Sequence, residues 1–266
     1  MSVNISDLAI TSLETIQAYH VTTDAYLFTL DELQNATIAQ TEETQDITGR
    51  QGRLLSRLKR NKQATISASN GMVSHGLLEL QTGNSFANKT TEVQWSEDLV
   101  ITSNTATTSY KAYGTAGAEI MELWIKDSNG FATAKLEQAA TAAAGKFAYA
   151  PATKALTFYA GAYADNTEIH VIYKRNIAAA VLENHSDSYS EKCKLYVDAL
   201  AEDKCGNVYH VQICFPKAEV SGEFSWEMGD NQTIHNFEAT ALSGACGAAA
   251  TFWTYTVFGA NAEDAA

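Results

Sequence analysis

Short extended runs dominate this chain after Lys62, and they constrain its fold more than any other feature. Thirteen of them follow one another at intervals near ten residues. Turn signals such as Asn70-Gly71 and Asn129-Gly130 separate several of them. The runs are ATISAS, GLLEL, EVQW, LVIT, EIMELWIK, KFAYA, ALTFYA, EIHVIYKR, CKLYVDALA, VYHVQICF, EFSWEM, NFEATAL and TFWTYTVF. Evenly spaced strands of this kind predict an all-β sandwich or barrel.

Two segments that precede these runs favour helices. In residues 47–62, a helix places Ile47, Leu54 and Leu58 on one face because their spacings are seven and four. The same helix carries an adjacent basic stripe of Arg50, Arg53, Arg57 and Arg60. We therefore predict one short helix near residues 47–62. The segment DLAITSLETIQAYH is interpreted as a short helix or an irregular arm, with the helix favoured.

An alanine-rich stretch, AKLEQAATAAAGKFAYAPATKALTFYAGAYADN, marks a change of composition in the middle of the chain. This change predicts an inserted or appended β subdomain over residues 118–177. Residues 1–117 then form an N-terminal arm and the first part of the main β-domain. A C-terminal β-meander over residues 178–258 completes that domain, and residues 259–266 form a flexible tail.

Net charge and the chain ends narrow the function classes. The formal net charge is −13, and such an acidic surface repels phosphates, which excludes nucleic-acid binding through the general surface. The N-terminal sequence lacks the basic and apolar regions of a secretory signal, and no run reaches the roughly 18 apolar residues of a membrane span. The four cysteines show no CxxC spacing. We expect synthesis in a reducing cytosol, with free thiols and no membrane partner.

Sequence motifs of catalysis are absent. There is no GxSxG, HExxH or Walker sequence. Acidic neighbours such as Glu97-Asp98 point to opposite faces of a strand, which does not suit a general acid/base pair. One Cys/His set fits no zinc spacing and is better explained as ordinary structural residues: Cys193, Cys205, His210 and Cys214. We predict no enzymatic activity, no cofactor and no metal site.

The basic segment after residue 49 has three interpretations. It is a solvated amphipathic helix, a nucleic-acid helix, or a contact with an acidic surface of another copy. The acidity of the chain and the lack of interleaved aromatic residues disfavour nucleic acid. The contact with another copy is preferred, with the solvated helix close behind, because head-to-tail contacts build rings or filaments. The predicted interface residues are Arg50, Arg53, Arg57, Arg60 and Lys62, with Glu42, Glu43 and Asp46 supplying the acidic face.

The C-terminal strands suggest a second kind of contact. NFEATAL and TFWTYTVFG are rich in β-branched and aromatic residues and contain no Lys or Pro. Monomeric proteins usually protect the edge strands of their sheets with lysine or proline residues. We therefore predict that these two runs are edge strands that another subunit covers.

The order and texture of these segments resemble the major tail protein, the tail tube subunit of long-tailed bacteriophages. The resemblance begins at ITGRQGRLLSRLKRNK, continues through EIMELWIKDSNG and EIHVIYKR, and is most specific in KLYVDALAEDKCGNVYHVQICFPKAEVSGEFSWEM. It covers about residues 45–258. It implies a tail-tube-type β-barrel or sandwich with an Ig-like subdomain that projects outward, and hexameric rings that stack into a tube in the virion tail.

The resemblance also implies partners and a channel. Tape-measure and terminator proteins would contact the tube, and DNA would pass through it without specific binding, since acidic walls repel phosphates. The candidate lumen-facing residues are Asp198, Glu202, Glu223 and Glu227. Two alternatives stay open. One is another virion protein, such as a head decoration protein or a tail terminator. The other is a carbohydrate-binding β-sandwich that uses Trp95, Trp124, Trp226 or Trp253.

Overall fold

The computed structural model describes residues 7–227, 234–243 and 251–259. The described residues are mostly β-strand, so the predicted all-β fold is confirmed. It divides into two compact units. The discontinuous unit comprises residues 1–86 and 182–266, and the inserted unit comprises residues 87–181. The inserted unit begins about thirty residues before the predicted subdomain over residues 118–177. Its Ig-like character stays a prediction.

In its described residues, the discontinuous unit contains one antiparallel sheet and one α-helix. Its sheet has the strand order β2-β1-β12-β13-β15-β4-β3, with β14 paired to β15 and β16 paired to β13. The helix, α1, spans His75–Thr82. The strands are β1 (Leu8–His20), β2 (Tyr26–Leu30), β3 (Leu33–Thr48), β4 (Leu54–Asn70), β12 (Lys192–Asp203), β13 (Val208–Val220), β14 (Trp226–Glu227), β15 (Ile234–Ala241) and β16 (Thr254–Gly259).

Side-chain alternation gives this sheet a buried face and a polar face. Successive side chains of a strand point to opposite sides. Along β12, Cys193, Leu195 and Val197 are buried, whereas the residues between them lie on the opposite, half-exposed face. The buried face packs with α1 through Leu77 and Leu80. The main core of the unit therefore lies on this face of the sheet.

The helix α1 replaces the strand predicted for GLLEL, so that prediction is wrong. Ser74 caps its N-terminus by accepting a hydrogen bond from the Leu77 N–H at 3.3 Å. Gly83 ends it in the left-handed conformation, with φ +66°. A Cβ at Gly83 would lie 2.1 Å from the backbone oxygen of Tyr189, so no other residue fits there. Two capping residues thus set a short helix within a chain of strands.

The predicted helix near residues 47–62 is wrong. This segment contains the end of β3, a 3-10 turn at Arg50–Gly52 and the start of β4, which form a β-hairpin. The register places Ile47 opposite Ser56 and Leu58 opposite Gln45. Ile47 lies two residues from Gln45, the partner of Leu58, so Ile47 and Leu58 still share a face. The basic stripe is absent, because residues three apart, such as Arg57 and Arg60, lie on opposite faces of a strand.

The helix favoured for DLAITSLETIQAYH is also wrong, since this segment forms β1. The pairing of β1 with β12 shifts register between Ile10 and Ser12, and again between Leu13 and Thr15. Each irregularity changes which face the following residues occupy. The apolar residues therefore lack the simple alternation that identifies a strand, and their irregular spacing imitates a helical one.

The inserted unit is a second β structure with its own core. Its sheet has the order β5-β11-β7-β8-β9-β10-β6, in which only β8 and β9 pair in parallel. Residues buried in its core include Leu123, Phe147 and Ile169. The strands are β5 (Ala87–Val100), β6 (Thr105–Thr107), β7 (Ile120–Lys126), β8 (Ala132–Gln138), β9 (Lys146–Ala150), β10 (Ala155–Phe158) and β11 (Glu168–Val181).

The boundaries of the inserted unit follow from one long pairing. β5 and β11 pair without interruption, from Val100 opposite Glu168 to Ala87 opposite Val181. The buried Tyr173 hydroxyl donates to Glu97 at 2.8 Å and accepts from the Tyr110 N–H at 3.2 Å, and burial raises the pKa of this phenol, so it stays a donor. β5 therefore belongs with β11, although its sequence lies outside the alanine-rich stretch.

Candidate assembly surfaces

A long ribbon formed by β3 and β4 is the most exposed element of the discontinuous unit. Beyond the pair Thr41–Gln63, residues 42–62 continue as two strands and a turn. Every residue of this ribbon is exposed except Gly49, which is half-buried. Isolated two-stranded hairpins are marginally stable in water. We call residues 42–62 the ribbon, and its turn end at residues 47–55 the ribbon tip.

Ion pairs cross the ribbon and join the predicted acidic and basic residues within one chain. Arg57 donates to Asp46 through Nε and Nη2, at 2.6 and 3.1 Å. This guanidinium holds the pKa of the Asp46 carboxyl below its usual value. Lys59 Nζ lies 2.7 Å from Glu42, and Arg60 Nε lies 3.6 Å from Glu43. Glu42, Glu43 and Asp46 thus have partners in the same hairpin. Their contact with a neighbouring copy stays a prediction.

The ribbon tip carries cations without such partners. Arg50 and Arg53 flank Gln51 and Gly52, whose φ angles are +65° and +73°. Neither arginine has an ion pair with any residue that the structure describes, and the same holds for Lys62. Large apolar side chains lie beside them: Ile47, Leu54, Leu55 and Leu58 are 41 to 64% exposed. The tip therefore offers both free positive charge and apolar surface.

The edges of the sheet are only partly those predicted. β16 is an edge strand, since β13 is its only strand partner among the described residues. β15 is not, because β13 and β14 pair with it on one side and β4 on the other. The prediction that NFEATAL is an edge is therefore wrong. β3 is the longest edge, and its first nine residues, LQNATIAQT, contain no charge and no proline.

The candidate lumen-facing acids occupy two places. Asp198 and Glu202 lie on the polar face of β12, where Asp198 accepts from Thr15 at 3.2 Å and from Gln212 at 2.9 Å. Glu223 lies in an exposed loop between β13 and β14. Glu227 is in β14, and its side chain lies outside the described part of the structure. If these residues face a channel as predicted, the polar face of the sheet and this loop form its wall.

The buried histidine of this unit was not singled out from the sequence. His235 is fully buried and pairs opposite Asn70 in the β15–β4 ladder. Its Nδ1 accepts from the Ser74 N–H at 3.3 Å, and its Nε2 lies 2.9 Å from the Gln81 side-chain oxygen. A neutral imidazole satisfies both contacts. In NFEATAL, Phe237, Ala239 and Ala241 alternate on the core face. His235 lies two residues before Phe237, so the same alternation would have placed it on the core face.

This site predicts a pH dependence of stability. Burial lowers the pKa of His235 from its ordinary value of 6.5. Below that value the unfolded chain gains a proton that the folded chain does not take, so the free energy of unfolding falls as the pH falls towards the folded pKa. The slope is at most about 1.4 kcal/mol for each pH unit, the value for a difference of one whole proton. Urea unfolding between about pH 7 and 5 measures it.

The control for this prediction is a pair of substitutions. His235→Gln removes the titrating group, and its unfolding free energy should vary less with pH than that of the unmodified chain. His185→Gln, at an exposed site, should leave the slope unchanged. An equal slope in all three proteins would contradict the role of His235.

No group of three or more Cys, His, Asp or Glu side chains within the described ranges is placed to hold a metal ion. In the same ranges, no helix has the length and apolar character needed to cross a membrane. The three cysteines in the described residues, Cys193, Cys205 and Cys214, are unpaired. Cys246 lies outside them.

The fold is all-β, and its described surfaces carry an exposed ribbon and open strand edges. The sequence profile of the YomU/Tube protein family matches residues 8–255, and the chain belongs to this family. The family identifies it as a phage tube-like structural protein, a component of the virion tail. No curated protein matches the chain. The resemblance found in the sequence is thus confirmed at the level of a phage tube protein, and its identity as the major tail protein of long-tailed phages stays a prediction.

Proposed function

We propose that this chain is the subunit of a phage tail tube and assembles with itself into stacked rings. The observation that carries this proposal is the ribbon. Fixing the backbone of a residue costs roughly 1–2 kcal/mol, and the ribbon recovers none of this by burying its own apolar side chains. A neighbouring copy that covers Ile47, Leu54 and Leu58 would supply the missing burial.

The sheet edges support ring closure. An edge strand presents a row of unpaired backbone N–H and C=O groups that another strand can join. The uncharged first half of β3 and the whole of β16 are such edges in the described chain. Contacts between two different surfaces of identical copies generate closed rings when the rotation between the copies closes. The ring number of six comes from the sequence resemblance.

The acidity of the chain supports a channel for DNA. A wall with the polar face of β12, including Asp198 and Glu202, would repel the phosphates of passing DNA and let it slide without specific binding. The proposal assigns no enzymatic activity to this chain. Its partners are its own copies and other tail proteins such as the tape measure and the terminator, and it is assembled in the host cytoplasm. The inserted unit is proposed to project outward as an Ig-like decoration.

The carbohydrate-binding alternative finds less support. Sugars stack on open aromatic faces, yet Arg175 lies over the Trp95 ring at 5.0 Å and Lys135 over the Trp124 ring at 5.7 Å. Trp226 packs beside Phe224 and His235, with ring centroids 5.2 and 6.0 Å away. Each of these contacts covers part of a ring on which a sugar would stack.

Electron microscopy of the purified chain tests the proposal. Negative-stain images should show rings or hollow tubes, and sedimentation velocity should show a polymer that grows with protein concentration. A protein that stays monomeric over a wide concentration range would refute the proposed tube. Retention on polysaccharide resins would favour the carbohydrate-binding alternative, and assembly into a cap or single ring that never stacks would favour a terminator.

A further inference from the structure

A groove in the discontinuous unit has the chemistry to receive the ribbon tip. It has a volume of about 860 Å³ and lies between the C-terminal end of α1, the loop over residues 184–190, and the ends of β13 and β15. An adjoining depression of about 490 Å³ shares Glu223, Phe224 and Glu238 with it and extends to Ser67 of β4. We call the two together the acidic groove.

The charge of the acidic groove is of one sign. Glu219, Glu223 and Glu238 line it, all three exposed, and no lysine or arginine does. None of the three carboxylates has an ion pair within the described chain. Apolar surface lies beside them, since Tyr189 is 79% exposed and Phe224 is half-buried. Free negative charge next to apolar surface is the complement of what the ribbon tip offers.

The walls of the acidic groove are fixed before any partner arrives. The loop over residues 184–190 is held against α1, because the Glu191 N–H donates to the Leu80 carbonyl at 3.0 Å and Gly83 closely approaches the Tyr189 backbone. On the other side, Gly222 lies so near α1 that a Cβ would be 3.3 Å from the Gln81 carbonyl. A preformed site loses little conformational entropy on binding.

The ribbon tip of the same chain does not occupy this groove. Ser67 lies at the groove and Arg57 near the tip, both in β4 and ten residues apart. At roughly 3.3 Å per residue, they are separated by about 30 Å along the strand. The two complementary surfaces are therefore at distant places on one molecule, as a head-to-tail contact requires.

We propose that the ribbon tip of a second copy of this chain docks in the acidic groove. Arg50 and Arg53 lie against Glu219, Glu223 and Glu238, while the apolar side chains of the tip cover Tyr189 and Phe224. The contact is heterologous, so each copy uses its tip on one neighbour and its groove on another. This inference rests on the proposed self-assembly and names the surface that the ribbon meets.

Charge reversal in both surfaces tests the docking. Arg50→Glu with Arg53→Glu reverses the tip, and Glu223→Arg with Glu238→Arg reverses the groove. Each pair of substitutions should raise the protein concentration needed for assembly by tenfold or more. This is the effect expected when one close charge pair across the contact is lost. Mixed together, the two variants should assemble again, alternating along the polymer, because each reversed surface then meets its opposite.

The controls separate docking from general charge and from folding. Lys111→Glu with Lys204→Glu imposes the same change of net charge as the tip reversal, at residues that belong neither to the ribbon nor to the lining of the groove, and assembly should stay near that of the unmodified chain. Circular dichroism and thermal melting should show all variants folded, since every substituted residue is exposed.

The outcomes distinguish this inference from the proposed function. A wild-type chain that never assembles overturns the proposed tube and the docking with it. A wild-type chain that assembles, together with a tip-reversed variant that assembles equally well, overturns the docking alone. The docking is also overturned if both reversed variants fail and their mixture fails too, because complementary charges should restore the contact.

Discussion

Replacing residues 42–62 by Asn-Gly should abolish assembly and leave the subunit folded. The pair Thr41–Gln63 flanks the deleted ribbon, and Asn-Gly closes two directly paired residues as a type I′ turn. The deletion removes no core residue, because all of the ribbon is exposed apart from Gly49. It does remove the free arginines and the apolar surface through which we propose that copies meet. We expect the effect on assembly to be the largest of any change in this chain.

Sedimentation velocity and negative-stain microscopy measure this effect. The shortened chain should remain monomeric at about ten times the concentration at which the unmodified chain assembles, which corresponds to a loss of 1.4 kcal/mol or more per contact. Its thermal transition should stay close to that of the unmodified chain. A matched control replaces Gly145, at a turn of the inserted unit, by Asn, and should assemble normally. Tubes of normal length from the shortened chain would refute the role of the ribbon.

The same ribbon shows why sequence patterns predicted the fold class better than individual elements. In β12 and β15, apolar and polar residues alternate, and both strands were predicted. In the ribbon no side chain is buried, so no core selects between periods of two and 3.6. Leu54 and Leu58, four apart, fit both. The strand is selected by pairing across the turn, as between Ile47 and Ser56. The sequence of one strand alone does not show its pairing partner.

The candidate site was predictable in composition and not in geometry. The sequence separated basic residues after 49 from acidic residues before 47, and in the structure these two groups are the two strands of one hairpin. Register brings Asp46 to Arg57, which a helix would have kept apart. The acidic groove was beyond prediction, since Glu238 reaches Glu219 and Glu223 only through the pairing of β13 with β15.

Core truncations in the two units should destabilise them separately. Phe237→Ala in β15 removes a ring that is 2% exposed in the core of the discontinuous unit. Phe147→Ala in β9 removes a ring that is 1% exposed in the core of the inserted unit. A buried phenylalanine replaced by alanine loses about 3–5 kcal/mol, because apolar contacts are lost and a cavity remains. Each unit has its own core cluster, so each loss should stay within one unit.

Hydrogen exchange with mass spectrometry measures the two units in one experiment. Exchange of protected amides reports the free energy of the opening that exposes them. Phe237→Ala should speed exchange in β12 and β13 by about a hundredfold or more, since 1.4 kcal/mol is a factor of ten, and leave β7 and β11 unchanged. Phe147→Ala should do the reverse. Equal acceleration in all four strands by either variant would mean that the two units unfold together. The inserted unit would then contribute to the stability of the discontinuous unit.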